Sequence, residues 1–403
     1  MKRALLATAV ACMAPALAVN VNAADIRWNG FASITGGVST GEGTRPDGEE
    51  LRLYGYDDDF NFRPESKLAL QASSNLGNGL SVTAQAIARG SDDFNVEMEW
   101  AFVSYDFGES SRINVGKLRI PFYQYSDFLD VGYAYAWIRP PESVYDLFFS
   151  TMEGANLQFN GAIGSWDSGL QLVAGRTANE LDIFGTPSDA NLKNLWGGAW
   201  NLGNDWLTFR AAYFQADTTL TNSGLEQLSA GLAGVAANPA LAPFNIPDRS
   251  EDLAAGDDKG SFVGFGFKAD KNDWLFGGEI TQIQVADSFV ADQDSAYVTI
   301  GRRFNDLVFH VTYEEQENKV KEGILDGIPT GIDPAIDGLL ASATGVIVGG
   351  EQTSTTVTVG MRYNFHPSAS FKIDYSQRDY DSSATMDVDG AASVVRFSID
   401  AIF

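Results

Sequence analysis

Chemistry-bearing side chains concentrate in one stretch, Arg112 to Thr151, where Lys117, Arg119, Asp127, Asp130, Arg139, Glu142 and Asp146 are interleaved with Phe122, Tyr123, Tyr125, Phe128, Tyr133, Tyr135, Trp137, Tyr145, Phe148 and Phe149. Opposed charges across a narrow aqueous gap orient and filter small polar solutes. The same charges can instead pair with one another and fill a plugged interior. Catalysis has little to work with. The histidines are His310 and His366, the single cysteine is Cys12, and no G-x-S-x-G order or glycine-rich phosphate cradle is present. Neither an enzyme nor a cofactor is expected. The acidic run at Asp57, Asp58 and Asp59 suggests at most weak divalent-cation binding, against the simpler reading of a solvated loop.

Stretches of about 30 residues without regular structure are uncommon and usually functional. One this rich in rings needs a wall to pack on, and one this charged needs water to face. The flanking segments supply the wall. Val82, Ala84, Ala86 and Ala88 alternate with Thr83, Gln85, Ile87 and Arg89; Ala155, Leu157 and Phe159 alternate with Asn156, Gln158 and Asn160. That is the period of a half-buried strand. Sixteen such segments run from Asp25 to Phe403, with Phe60–Ser74 as the second. Every other connection is a short turn rich in Gly, Asn and Asp, and those between are longer. The expectation is an all-β fold, a sixteen-stranded antiparallel transmembrane β-barrel with an inward-folded constriction loop at residues 117–151. Residues 218–259 and 317–352 are expected to be long extracellular loops. Leu220, Leu225, Leu228, Leu232 and Val235 in the first suggest a short amphipathic helix. A soluble multi-sheet protein with the aromatic loop lying over it is the competing architecture.

Val395, Phe397, Ile399, Ala401 and Phe403 share one face of the last segment, backed by Arg396, Ser398 and Asp400. Apolar rows are assigned to lipid and charged rows to a watery lumen, because a charge facing lipid costs about 2–4 kcal/mol at midplane. Lumen parity then falls on Lys67, Arg89, Arg210, Arg303, Arg362, Lys372 and Arg396, a basic wall opposite the loop. The register of Glu97 and Glu99 stays open, since Trp100–Tyr105 is apolar on both faces.

Met1-Lys2-Arg3 followed by apolar Ala4–Val19 and small residues at Val21-Asn22-Ala23 reads as a signal peptide, residues 1–23, leaving the barrel at 24–403. Without Lys2 and Arg3, 25 basic residues face 53 acidic ones, a formal charge of −28. Nucleic acid is a poor partner for such a chain.

Three stretches, VGKLRIPFYQYSDFLDVGYAYAWIRPPESVY, MRYNFHPSASFKIDYS and VVRFSIDAIF, resemble the porins of marine and other gammaproteobacteria within the Gram-negative porin superfamily. The resemblance implies a sixteen-stranded barrel, a homotrimer, in outer-membrane lipid and lipopolysaccharide, passing small hydrophilic solutes by diffusion. It also implies that Lys117–Tyr145 is the constriction loop and that Phe403 is the terminal aromatic read by the assembly machinery. The two long acidic loops depart from the pattern and leave two alternatives open: a substrate-specific channel, and a loop-sealed barrel acting as a structural protein or surface receptor.

Overall fold

The computed structural model describes residues 25–43, 50–183, 186–235, 246, 252–253, 256–325, 328–331, 333–381 and 390–403; the signal segment lies outside them. Sixteen strands follow in order: β1 (Ile26–Glu42), β2 (Lys67–Gly77), β3 (Leu80–Arg89), β4 (Val96–Asp106), β5 (Ser111–Arg119), β6 (Thr151–Ile163), β7 (Trp166–Ile183) and β8 (Thr186–Gly203). They continue with β9 (Leu207–Thr221), β10 (Gly256–Lys271), β11 (Trp274–Val285), β12 (Asp292–Phe304), β13 (Leu307–Lys319), β14 (Gln352–His366), β15 (Ala369–Asp381) and β16 (Gly390–Ile402). Each pairs antiparallel with its chain neighbour, and β1 closes on β16 from Phe31↔Ile402 to Glu42↔Ala391. Closure removes the sheet edges that hydrocarbon cannot satisfy.

Side-chain alternation sorts the two faces. Ile34, Leu70, Val103, Val115, Leu172, Val263, Ile280, Val298, Val311, Val359, Ile373, Val395 and Ile399 all stand exposed on the outside. An apolar surface that continuous suits lipid and not water. Trp28, Trp200, Trp206, Phe304, Tyr363, Phe365 and Phe403 are exposed at or near the rim where the short turns lie. The start of β1 meets the last residue on this turn rim, where Gly30 and Phe403 exchange backbone hydrogen bonds of 2.8 and 3.0 Å.

The opposite, loop rim departs from expectation in three places. The second strand starts at Lys67, not Phe60; the segment before it crosses the wall instead. Leu51, Leu53 and Tyr56 pack inside against Ala392 and Val394, while Phe60 stacks outside on Phe397 at 5.4 Å. Pro64, which has no N–H for a ladder, stands between Phe60 and the start of β2. Gly169–Arg176 and Asn191–Leu202 alternate in the sequence, but β7 and β8 pair beyond them, out to Ile183↔Thr186, so a tall hairpin stands where the alternation predicts a loop. A bulge in β4 sets Gln85 opposite Trp100 and Ala86 opposite Met98. The extra residue, Glu99, turns inward with Glu97, and both accept from Arg89.

Among the described residues two α-helices stand beyond the loop rim, α1 (Ser223–Val235) and α2 (Pro334–Val348). Leu225, Leu228 and Leu232 of α1 meet Ile336, Leu340, Ala343 and Ile347 of α2 in one apolar cluster with Leu253, Phe289 and Ile324. Asp333 caps α2 by accepting from the Ala335 N–H at 2.8 Å, with Pro334 next to it. Neither helix is long and apolar enough to cross a membrane.

Candidate functional site: the barrel interior

Between β5 and β6 the chain leaves the wall and folds into the barrel. Phe122, Tyr123, Tyr125, Tyr135, Trp137, Val144, Tyr145 and Phe149 are buried there, packed with Leu192, Leu195, Phe214, Phe262 and Tyr297 from the wall. Phe122 lies 4.9 Å from Phe214 and 5.0 Å from Phe262, ring centre to ring centre. The rings therefore anchor the loop rather than line a passage.

Inward-facing charges hold it. Lys372 Nζ donates to the Gly132 and Trp137 carbonyls at 2.5 Å each and pairs with Asp400 at 3.0 Å. Asp374 accepts from the Ile138 N–H at 2.8 Å, and Glu314 from the Ser143 N–H and hydroxyl at 3.2 and 3.0 Å. Glu279 takes the Gln124 N–H (2.8 Å), the Tyr297 hydroxyl (3.1 Å) and the Tyr145 hydroxyl. Arg210 donates to the Pro121 carbonyl and to Asn201, and Arg362 to the Tyr135 carbonyl at 2.9 Å while lying over the Tyr133 ring. The Trp137 indole donates to Thr312 at 2.8 Å, beside buried His310. At the loop's lowest point the Tyr133 hydroxyl reaches the Pro367 carbonyl in the β14–β15 turn, 2.7 Å away. Close approach here requires glycine: a Cβ on Gly132 would overlap the Asp400 carboxylate and the Ser33 hydroxyl.

The expected basic wall is thus a clamp. Lys372 is 0 % exposed, Arg396 1 % and Arg210 5 %, all covered by loops and neighbouring wall residues. Facing inward is not the same as being wetted. Arg396 pairs with Glu65 at 2.8 Å and carries Tyr54 over its guanidinium; Arg378 pairs with Glu142 at 2.8 Å. Arg139 sits 3.4 Å from Glu142 and 3.8 Å from Glu65. A second cluster forms around Asp130, which takes Lys67 at 3.4 Å, Arg89 at 3.0 Å and Arg119 at 2.7 Å. Burial works to raise the Asp130 pKa, but the three cations win and hold it well below the usual carboxylate range. A cavity of about 200 Å³ borders this cluster, lined by Ser33, Thr35, Lys67, Arg89, Asp130 and Arg139. Another, about 300 Å³, lies among Tyr125, Trp137, Thr299, Arg362 and Arg303; Arg303 pairs there with Asp270 at 3.0 Å.

Lys117 does not face the barrel interior. It shares the outward face of β5 with Val115, which is 52 % exposed, and its Nζ donates to the Met98 carbonyl on the outside of the barrel at 2.7 Å. The ladder with β4 ends at Lys117↔Ala101, and the next cation, Arg119, turns in to Glu99 and Asp130. Asp57, Asp58 and Asp59 do not converge either: Asp57 Oδ1 accepts from the Asp59 N–H, and Asp58 lies 3.9 Å from Arg52. Among the described residues no three His, Cys, Asp or Glu are placed to hold a metal ion.

The loop packs on β8–β16 and is tied to β2 and β3 through Asp130; the half-exposed interior lies against the turn-rim ends of β6–β8, where Gln158, Asn160, Gln171 and Asn201 retain access. Asp127, at the loop's edge, is exposed toward it and accepts from Gln171 at 3.4 Å. No protein-family model matches the sequence, and neither does any curated protein. Solved structures do match. OmpF of Salmonella typhi, in complex with daunomycin, superposes with TM-score 0.56 at 13% identity, covering 94% of this chain and 98% of that one. An anion-selective porin from Comamonas acidovorans gives 0.54 at 11%, covering 94% and 100%. The trimer form of OmpT, an outer membrane protein of Vibrio cholerae, gives 0.50 at 11%, covering 94% and 99%. The chain has the porin fold.

Within that porin fold, sequence reasoning missed Glu65, Glu314 and Arg378 as clamp residues; Glu65 sits in a segment taken for a strand. Asp146 carries a pH-dependent charge. It lies beside Gln316 toward the loop rim with its side chain open to water, and partial burial, aided by nearby Glu142, pushes its carboxyl up to about 6; Gln316, Arg378 and Arg139 oppose the shift. Raising pH from 5 to 7.5 should therefore add one negative charge beside the passage and move the reversal potential in a salt gradient toward cation preference. Asp146→Asn should remove that step; an unchanged pH response would reject the assignment.

Proposed function

We propose that this chain is a passive diffusion channel for small hydrophilic solutes across the outer membrane, working as a homotrimer after removal of residues 1–23. The observation that carries the reading is the loop: it enters a closed, lipid-faced barrel, binds most of the wall, and leaves polar side chains half-exposed along the turn-rim ends of β6–β8. A chain built only to seal the barrel has no use for that open side. The turn rim is read as periplasmic and the helical cap as external, as short turns and long loops are disposed in outer-membrane barrels. Phe403 fits the role of assembly signal. A trimer is supported by the low wall from β1 to β4, where Phe60, Phe62, Phe94, Val96 and Met98 form an exposed apolar patch near the loop rim. We read the protein as a channel rather than an enzyme, since His310, the histidine inside, is packed between Trp137 and Asp374.

The α1–α2 cluster supports a second reading, a capped barrel serving as a surface receptor. Single-channel recording of the folded, purified protein separates the two. The proposal expects ohmic steps in planar bilayers; a folded oligomer that never conducts would reject it.

A further inference from the structure

We infer that the open wall of the channel is a binding surface for a neutral, hydroxyl-rich solute of the carbohydrate class. The inference deepens the channel reading and rests on it. The inner faces of β5–β8 carry six carboxamides, Asn114, Asn156, Gln158, Asn160, Gln171 and Asn201; the charges on the same faces are Arg112, which stands opposite Gln158 and pairs with Asp106 at 2.5 Å, and Asp167 beside the turn rim. Strand register groups them: Asn114 stands opposite Asn156, Gln158 opposite Gln171, and Asn160 and Asn201 flank Gly169, whose missing side chain leaves space between them.

A carboxamide offers two donor hydrogens and an acceptor oxygen. Little of that capacity is used within the protein. Ser104 donates to Asn114 at 2.6 Å, Arg210 to Asn201 at 3.1 Å, and Gln171 donates to Asp127 at 3.4 Å. Asn156 Oδ1 and Gln171 Oε1 accept nothing from the protein, although both atoms are shielded from bulk water. Such acceptors are rare in folded proteins and call for a donor.

A hydroxyl both donates and accepts, so a polyol lying along this wall matches either end of each amide. A carboxylate or ammonium solute would shed hydration against a surface whose cation, Arg112, is already neutralised by Asp106. The charge at its edge, Asp127, accepts from hydroxyls and repels anions. Across from the amides the loop presents Phe128, half-buried beside Tyr125, an apolar ring for the C–H face of a sugar. The cationic residues that would favour an anion are spent on Asp130, Glu65, Glu142 and Asp400.

The test is ion current through the full folded protein in a planar bilayer, with maltotriose added and a sugar acid and an amino sugar of similar size as comparators. The expected result is a saturable block by the neutral trisaccharide, stronger than by either charged solute. The double variant Gln158→Ala, Gln171→Ala should raise the half-blocking concentration about tenfold, as expected for two lost hydrogen bonds, with the open-channel conductance not reduced. A conducting channel that maltotriose does not block saturably, or blocks no better than the sugar acid, would overturn this inference and leave the channel reading intact. Absence of conductance would overturn both. The comparison of solutes on the unaltered protein decides the matter even where the double variant fails to fold.

Discussion

Replacing Lys372 with Met is expected to cost about 3–5 kcal/mol, the range for removing one partner from a buried ion pair. The ammonium joins three things at once: the Asp400 carboxylate on the neighbouring strand and the carbonyls of Gly132 and Trp137 in the loop. Met fills similar volume, so packing is largely kept. What is lost is the charge. Asp400 would keep only the Ser33 and Ser398 hydroxyls as donors, at 2.6 and 3.2 Å, and two buried carbonyls would go unmet. The loop tip should then detach from β15–β16. Two measurements check this: a lowered temperature for loss of the compact form on semi-native gels, and a larger, noisier single-channel conductance. A variant with unchanged melting and unchanged current would mean that the loop does not depend on this contact.

Asp130→Asn should act chiefly on selectivity. Its carboxylate neutralises Lys67, Arg89 and Arg119 together. Arg89 would retain Glu97 and Glu99, and Arg119 would retain Glu99, but Lys67 would be left without a described ion-pair partner. One uncompensated positive charge about 6 Å from a permeating ion in water is worth about 0.7 kcal/mol, so the permeability ratio should move roughly threefold toward anions. The measurement is reversal potential across a potassium chloride gradient. Movement toward cations would place Asp130 outside the field of the passage.

The barrel was readable from the chain because lipid imposes one rule on all sixteen strands. Outward residues must be apolar whatever lies inside, so period-two alternation survives, and turn length marks the rims. The inward rows obey no such rule. Lys372 and Gln171 share the same parity signal, yet one is sealed under the loop and the other is half-exposed. Nothing local distinguishes them; the difference arises from where a loop more than two hundred residues away comes to rest. Lys117 was misplaced for a related reason: charge was taken as a sign of the interior, whereas near the rim a lysine on the outer face reaches a backbone carbonyl and water. The register of β4 was hidden by a bulge that apolar residues on both faces do not advertise. The loop itself was legible, because so many rings and charges have no other place to go. Its role as a clamped partition, with charge used for attachment and amides left to face the solute, required the coordinates.

Thiol accessibility tests the central claim most directly, in a chain whose one cysteine, Cys12, lies in the expected signal peptide. Ser376 and Ser398, both fully buried in the structure, and Gln158 and Gln171, both half-exposed, would each be changed singly to Cys and challenged with a charged, membrane-impermeant methanethiosulfonate during current recording. The account predicts rapid modification with a fall in current at positions 158 and 171, and silence at 376 and 398. Fast modification at 376 and 398 with none at 158 and 171 would place the passage on the opposite wall and contradict it.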